Sequence, residues 1–383
     1  MPAALSSAER VKLAYSGHEP DRVPIMFRAT GPLDGRFDDQ FERAEALLRM
    51  GADVALTLEL PIHFEPRVSS RTWIEKTRRE RVLHKEYQTP AGALHASVRL
   101  TEHGQERDIP LCDDRGGSRG EDFPIETERD LNALHYLLRD PAESDLTPVL
   151  EHAAHVRREA DRLGVIVQGN MPPAPLCLMS LLGRSRCVLG VRDEPELLVA
   201  VMVHVQQWTR RCLEVLLDLP IDVVYRSNRY ETVDLFSPRD IRDLFMPVLR
   251  FDAQLCKMAQ IPLHCFAKSG IMPLLEDYAE AGVDVLSSLS PVGPEPMDLS
   301  EVKRRIGDCC CLMGGVDSHG PFLAGSPEEM EQTVLSTLRA MAPGGGYILS
   351  PAGAIPAQAA ESSIAAFVEV GRRYGRYPLD LPG

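Results

Sequence analysis

A (β/α)8 (TIM) barrel is the fold this sequence predicts, and two observations predict it. Short apolar strands alternate with amphipathic helices through the second half of the chain, and the same unit recurs at wider intervals in the first half. Consecutive strands separated by helices run parallel, because a parallel connection has to cross over the sheet. Eight such strands close into a cylinder. The 383 residues suit one barrel carrying an insertion, so a single domain over 1–383 is expected. A doubly wound open sheet is the rival, but no Gly-x-Gly-x-x-Gly turn follows the first strand.

In chain order, the first three strands are read at Val23 to Phe27, Val54 to Leu58 and Val165 to Gln168. Val223-Val224-Tyr225 is the fourth, and Ser237-Pro238 then opens a helix to about Cys256, with Ser as the cap and Pro in the first turn. Pro262-Leu263-His264 is the fifth strand, followed by a helix from Met272 to Ala281 closed by Gly282. Val285-Leu286-Ser287 leads to a helix across Leu299 to Ile306, closed by Gly307. Cys310 to Met313 is the seventh strand, ending in Gly314-Gly315, and Ser326-Pro327-Glu328-Glu329 caps a helix toward Met341. Tyr347-Ile348-Leu349 is the last strand, and Ala359 to Tyr374 the last helix.

Residues 64–110 break this rhythm after the second strand. Arg81 to Tyr87 and Leu94 to Leu100 alternate in character around a Thr89-Pro90-Ala91-Gly92 turn, which reads as a β-hairpin insertion serving as a lid or a dimer contact. Arg115 to Asp122 reads as a polar linker.

The charge of −14 excludes a sequence-independent nucleic-acid binder, which needs a basic face, and disfavours anionic lipid surfaces. No apolar run reaches the roughly 20 residues that span a bilayer, and Met1 to Arg10 lacks the plan of a signal peptide, so a cytoplasmic protein is expected. Nine cysteines without regular spacing read as reduced thiols, and the run Cys309, Cys310, Cys311 as buried strand residues. HExxH, GxSxG and GxxxxGK[ST] patterns are absent.

A larger pattern joins these pieces. Arg22-Val23-Pro24 with Arg28, Leu235-Phe236-Ser237-Pro238, Leu263-His264 with Lys268, and Gly282-Val283-Asp284 occur in order. Gly314-Gly315-Val316-Asp317, Ser326-Pro327-Glu328-Glu329 and Gly346 to Pro351 complete the series. In that order and spacing the chain resembles the uroporphyrinogen decarboxylase superfamily over most of its length outside the insertion. The resemblance implies one of two chemistries: cofactor-free decarboxylation of porphyrinogen acetates, or methyl transfer linked to corrinoid proteins through a zinc site of His-x-Cys and a distant Cys. A zinc-bound thiolate is a strong nucleophile at neutral pH, which is why that site needs those ligands.

The sequence departs from both patterns. The His-x-Cys-Gly-Lys motif falls on His264-Cys265-Phe266-Ala267-Lys268, so Phe266 stands where the first cysteine is required. Ser350-Pro351-Ala352-Gly353 occupies the place of the second. The zinc site is therefore expected to be absent, since Cys265 points to the other face unless the strand slips register. On the decarboxylase side the late histidine falls on Gly353 and the tyrosine near Met179, while Arg28 and Glu59 keep the positions of the arginine and the acid.

The expected catalytic residues are His264 at the end of the fifth strand, Glu59 after the second, and Asp317 behind two glycines after the seventh. Arg28, Lys268, Asn170, Arg226, Tyr230 and His63 are the expected substrate contacts, Arg28 as a bidentate clamp on a carboxylate or phosphate. The insertion's Tyr87 to Gly92 stretch and the place of Lys268 resemble the methyltransferase branch. The function expected is thus corrinoid-linked demethylation of a small methylated compound, with no tightly bound cofactor. A separate corrinoid protein and a second copy of the chain are candidate partners. A carboxy-lyase and a non-catalytic binding barrel remain the alternatives.

Overall fold

The computed structural model describes residues 5–77, 80–101, 107–112, 119–267, 269–293 and 296–382. Its strands, in chain order, are β1 (Ala55–Glu59), β2 (Ser69–Lys76), β3 (Arg81–Thr89), β4 (Gly92–Arg99), β5 (Arg119–Asp122), β6 (Ile166–Met171), β7 (Val223–Ser227), β8 (Leu263–Phe266), β9 (Val285–Leu289), β10 (Cys311–Val316) and β11 (Tyr347–Pro351). The fold is α/β. One sheet has seven strands in the order β1-β6-β7-β8-β9-β10-β11, every pairing that is described being parallel, and a separate antiparallel sheet has the order β2-β3-β4-β5.

The expected eighth strand differs from the other seven. Val23 to Phe27 is extended but forms only an isolated parallel bridge, Ile25 to Leu349. Leu349 N donates to Pro24 O at 2.9 Å and Met26 N to Leu349 O at 3.0 Å, while Asp53 N donates to Ile25 O at 2.6 Å just ahead of β1. What holds this segment is largely a side chain. The fully buried Asp53 carboxylate takes Arg10 Nη1 and Arg22 Nη1, each at 2.7 Å, and Ile25 N at 2.9 Å. A buried charge survives only when paired in this way.

The chain divides into two compact units, Met1–Glu59 with Glu151–Asn170 and Leu217–Gly383, and Leu60–Leu150 with Met171–Leu216. The first contains the parallel sheet. Its core joins Met26, Ile166, Val223, Val285, Cys311, Met313 and Ile348 from successive strands with Val11 and Ala14 of the helix Ser7–Tyr15. Among these strands β10 and β11 are buried on both faces, so they read as near-continuous apolar runs, Cys311-Leu312-Met313 and Tyr347-Ile348-Leu349. The capped helices form as read: Ser237 and Ser326 each make a capping box, with Asp240 and Glu329 respectively. The helix Met246–Ala259 is entered through a π turn at Ile241–Phe245 that the sequence pattern did not signal.

The second unit contains the antiparallel sheet, whose buried face gathers Leu83, Ala96, Val98, Leu100 and Ile109. The expected hairpin is β3–β4, closed by Pro90-Ala91 with Thr89 opposite Gly92. Two strands were not expected. β2 is exposed at all eight positions, so it has no apolar alternation to read. β5 falls in the stretch expected as linker, where residues 119–122 pair with β4.

The cysteine run also needs correction. Cys311 begins β10 and Cys310 is buried, but Cys309 is exposed in the turn where its N–H donates to Ile306 O. All nine cysteines are free thiols. No single helix among the described residues is long and apolar enough to cross a membrane.

Candidate active site

A cavity of about 270 Å³ opens among the strand ends of the first unit. Period-two alternation decides what faces it. In β8, His264 and Phe266 line the cavity and Cys265 between them does not. In β7, which pairs Tyr225 with His264 and Arg226 with Cys265, Tyr225 lines it and Arg226 does not. Met26 and Arg28 enter from the extended first segment, Thr57 from β1, Gln168 and Asn170 from β6, Ser287 and Ser288 from β9 and Met313 from β10. Arg43 enters from the helix Gln40–Met50, whose N-terminus Asp39 caps by accepting from Phe41 N and Glu42 N.

His264 is buried, 4% exposed. Tyr225 meets it edge-on with ring centroids 5.2 Å apart, and Tyr15 approaches at 6.5 Å. Among the described residues neither imidazole nitrogen has a hydrogen-bond partner, and neither does the Tyr225 hydroxyl. Burial, reinforced by the Arg28 guanidinium, pushes the His264 pKa down to about 3, so the ring is neutral at physiological pH. Burial raises the Tyr225 phenol, with Arg28 partly opposing it, so it stays protonated. A neutral imidazole and a phenol with unused hydrogen-bonding capacity are groups awaiting a polar ligand.

The wall is cationic. Arg28 is exposed and its guanidinium carbon lies 4.1 Å from the Phe266 ring centroid, a cation–π contact that fixes the side chain while leaving its N–H groups available. Arg43 lies 3.8 Å from Asp34, and its buried Nε lacks a partner among the described residues. Asp53, already holding two arginines, is the one carboxylate in the lining among the described residues.

Backbone strain sits at the same place. The pairing of β9 with β10 runs from Met313–Ser287 to Gly314–Leu289, which leaves Ser288 as a bulged residue with φ of +70°. Its hydroxyl donates to Ala352 O. A non-glycine residue in this region is costly and persists only where its surroundings hold it. Gly314 opposite, at φ of +137°, has no room for a Cβ, which would fall 2.7 Å from Leu289 N.

The expected residues are thus only partly brought together. Arg28, Asn170 and His264 line the cavity. Glu59 is exposed and outside the lining, but accepts from Asn170 Nδ2 at 2.9 Å, while Asn170 Oδ1 accepts from Gln168 Nε2 at 2.8 Å. Asp317 lies outside the lining and works as a turn cap, accepting from Gly320 N at 2.8 Å and His319 N at 3.2 Å. His63 belongs to the second unit, 3.5 Å from Asp145. Lys268 lies outside the described residues.

Arg226 and Tyr230, expected as substrate contacts, are corrected by the structure. Arg226 is fully buried on the far face of β7, bound to Glu231 at 2.7 Å and Asp252 at 2.9 Å. Tyr230 is buried outside the cavity lining. The polar cluster after the fourth strand is an interior ion triad, because one residue's step along a strand reverses its face. Tyr225, Arg43, Gln168, Ser287 and Ser288 were missed. For Tyr225 a signal existed, since it sits at the same height as His264 in the adjoining strand.

The donor set does not fit the zinc–thiolate centre that the resemblance implied. Among the described residues His264 is the single unengaged metal-ligand type in the lining. Cys265 faces the buried triad, where its thiol is pushed well above the usual range by burial. No cluster of three ligand-type side chains occurs among the described residues.

The model of the family described as uroporphyrinogen decarboxylase matches residues 108–374. No sequence among curated proteins matches the chain. Among solved structures, a methyltransferase from Methanosarcina mazei is similar with a TM-score of 0.61 at 16% identity, over 97% of this chain and 99% of that one. A 3-keto-D-glucoside 4-epimerase from E. coli has a TM-score of 0.36 at 13% identity, over 58% of this chain and 83% of that one. The first likeness concerns the fold, and the second is too slight to carry weight.

Proposed function

The chain belongs to the uroporphyrinogen decarboxylase family, and on that premise we propose that it is a methyltransferase-like enzyme that demethylates a small anionic compound in corrinoid-linked one-carbon metabolism. The observation that carries this reading is the pairing of neutral hydrogen-bonding groups, His264 and Tyr225, with two arginines in a cavity whose carboxylate among the described residues, Asp53, is already engaged. The likeness in fold to a methyltransferase over nearly the whole chain supports it. Nine free thiols agree with action in a reducing cytoplasm. We read Val23 to Phe27 as the stave that closes an eight-stranded barrel between β11 and β1, on the strength of its hydrogen bonds to Leu349 and Asp53.

In this scheme Arg28 and Arg43 hold the substrate's carboxylate, and Phe266 and Met313 pack its apolar body. When the methyl group departs, the atom that bore it keeps the bonding electron pair and needs a proton. The Tyr225 hydroxyl supplies that proton and is reprotonated from solvent as product leaves, and His264 accepts a hydrogen bond from the substrate without taking a charge. Glu59 orients Asn170 through their hydrogen bond. A corrinoid supplies the acceptor of the methyl group when present. The cavity is too small to house the macrocycle, so a separate protein would present it. No step runs through zinc.

The test is to incubate the protein with reduced corrinoid and a panel of methoxylated aromatic acids and N-methylated amino acids, and to measure demethylated product by mass spectrometry. Corrinoid-dependent product is expected, with Arg28→Ala raising KM and Tyr225→Phe lowering kcat. No demethylated product from any donor would refute the reading. The two arginines equally suit a carboxylate that is to be lost, so carboxy-lyase activity is the second reading. Release of CO2 without corrinoid, abolished by Arg28→Ala, would establish it instead.

A further inference from the structure

Demethylation leaves different products behind, depending on the atom that bore the methyl group. A quaternary ammonium brings a positive charge into the cavity and departs as a neutral amine, which needs no proton. A methyl ether enters neutral and departs as an oxyanion, which does. The two donors therefore ask opposite things of the residues around them.

The lining opposes the cation. Inside a protein a cation is held by an available carboxylate or by the open faces of aromatic rings. Asp53, the carboxylate of the lining among the described residues, already takes Arg10 and Arg22 at 2.7 Å each. The Phe266 ring is occupied as well: the Arg28 guanidinium carbon lies 4.1 Å from its centroid and that of Arg229 lies 5.9 Å away. Arg43 adds a further positive charge to the wall, and like charges repel most strongly where water is scarce. The lining also supplies what the ether needs. Tyr225 Oη is buried and has no hydrogen-bond partner among the described residues. Burial raises this phenol, so it holds its proton until an oxyanion forms beside it.

We propose that the substrate is a methyl ether on a single aromatic ring that carries a carboxylate, and that the cavity excludes quaternary ammonium donors. The inference rests on the demethylase reading above. Size points to one ring: a cavity of about 150 Å³ holds benzene, and the cavity of about 270 Å³ here leaves room for a carboxylate and a methoxy group beside it. In the reaction the methyl–oxygen bond breaks and the methyl carbon passes to the electron pair of a reduced corrinoid. The bonding pair stays on the ether oxygen and takes the proton of Tyr225. A phenoxide is about as basic as a tyrosinate, so this transfer has no large uphill step.

Two measurements on the full chain test the proposal. The compounds 4-tert-butylbenzoate and 4-(trimethylammonio)benzoate share a shape and differ by one positive charge. By calorimetry the neutral one should bind about tenfold more tightly or better. With reduced corrinoid, 4-methoxybenzoate should be demethylated and 4-(trimethylammonio)benzoate, chemically the easier donor, should not. Tyr225→Phe should slow turnover of 4-methoxybenzoate by about a hundredfold, but that of 4-methoxy-3-nitrobenzoate, whose phenoxide leaves readily without a proton, by no more than about threefold. A tyrosine that only packs would slow both ethers alike. The cation bound as tightly as its neutral twin, the cation demethylated faster than the ether, or equal slowing of the two ethers would each overturn the proposal while demethylation itself stands. No product from any donor would overturn both.

Discussion

Lowering the pH probes the burial of His264. An unfolded chain takes a proton on this imidazole as the pH falls through its ordinary value of 6.5, whereas the folded protein does not until about 3. Between those values the unfolded state gains a proton that the folded state refuses. The stability contribution of the neutral ring is therefore fully present above pH 6.5 and is lost as pH falls toward 3. At about 1.4 kcal/mol per pH unit, the loss from pH 6.5 to 4.5 is about 2.7 kcal/mol. Carboxylates held below their usual range, such as Asp21 and Asp222, also lose stability on acidification, so the informative quantity is a difference between proteins. Urea unfolding of wild type and His264→Phe should be measured at pH 7.5 and pH 4.5. Wild type should lose 2–3 kcal/mol more than the variant, on the order set by the shift. Equal losses, or a His264 ring proton titrating near 6.5 in the folded protein by NMR, would refute the reasoning.

Three further outcomes follow from other contacts. Arg226→Met leaves Glu231 and Asp252 buried without a counter-charge, and should cost about 3–5 kcal/mol by chemical denaturation, whereas replacing all three with apolar residues should cost much less. Gly314→Ala forces a Cβ against Leu289 backbone at a positive φ, and should destabilise by about 2 kcal/mol or more in the same assay. Arg28→Lys keeps the charge but loses the planar fork, so calorimetric affinity for a small carboxylate should fall about tenfold, with thermal stability within a degree or two of wild type.

Much of the fold was legible because it rests on local rules. The strand at Leu263, the capping boxes at Ser237 and Ser326, and the helix from Leu299 to Ile306 each follow from period, cap and terminator within a dozen residues. Val23 to Phe27 was read as a strand like the others, yet its hold depends on Asp53, thirty residues along the chain, and its pairing is sparse. β2 was invisible because an edge strand exposed on both faces carries no apolar period.

In the site, the sequence by itself determined that His264 lies on a strand, although that strand runs on to Phe266, that Phe266 stands where a zinc cysteine would be needed, and that Arg28 follows the first segment. Those facts depend on order along the chain. Tertiary structure alone decided which neighbours share a face and a cavity: Tyr225 inward and Arg226 outward, Arg43 brought in from a helix, Asp317 turned to capping. The physical reason is that a strand reverses its side chains at every residue, so an error of one position exchanges a ligand contact for a core ion pair. Distance between segments is set by packing, which no local pattern encodes.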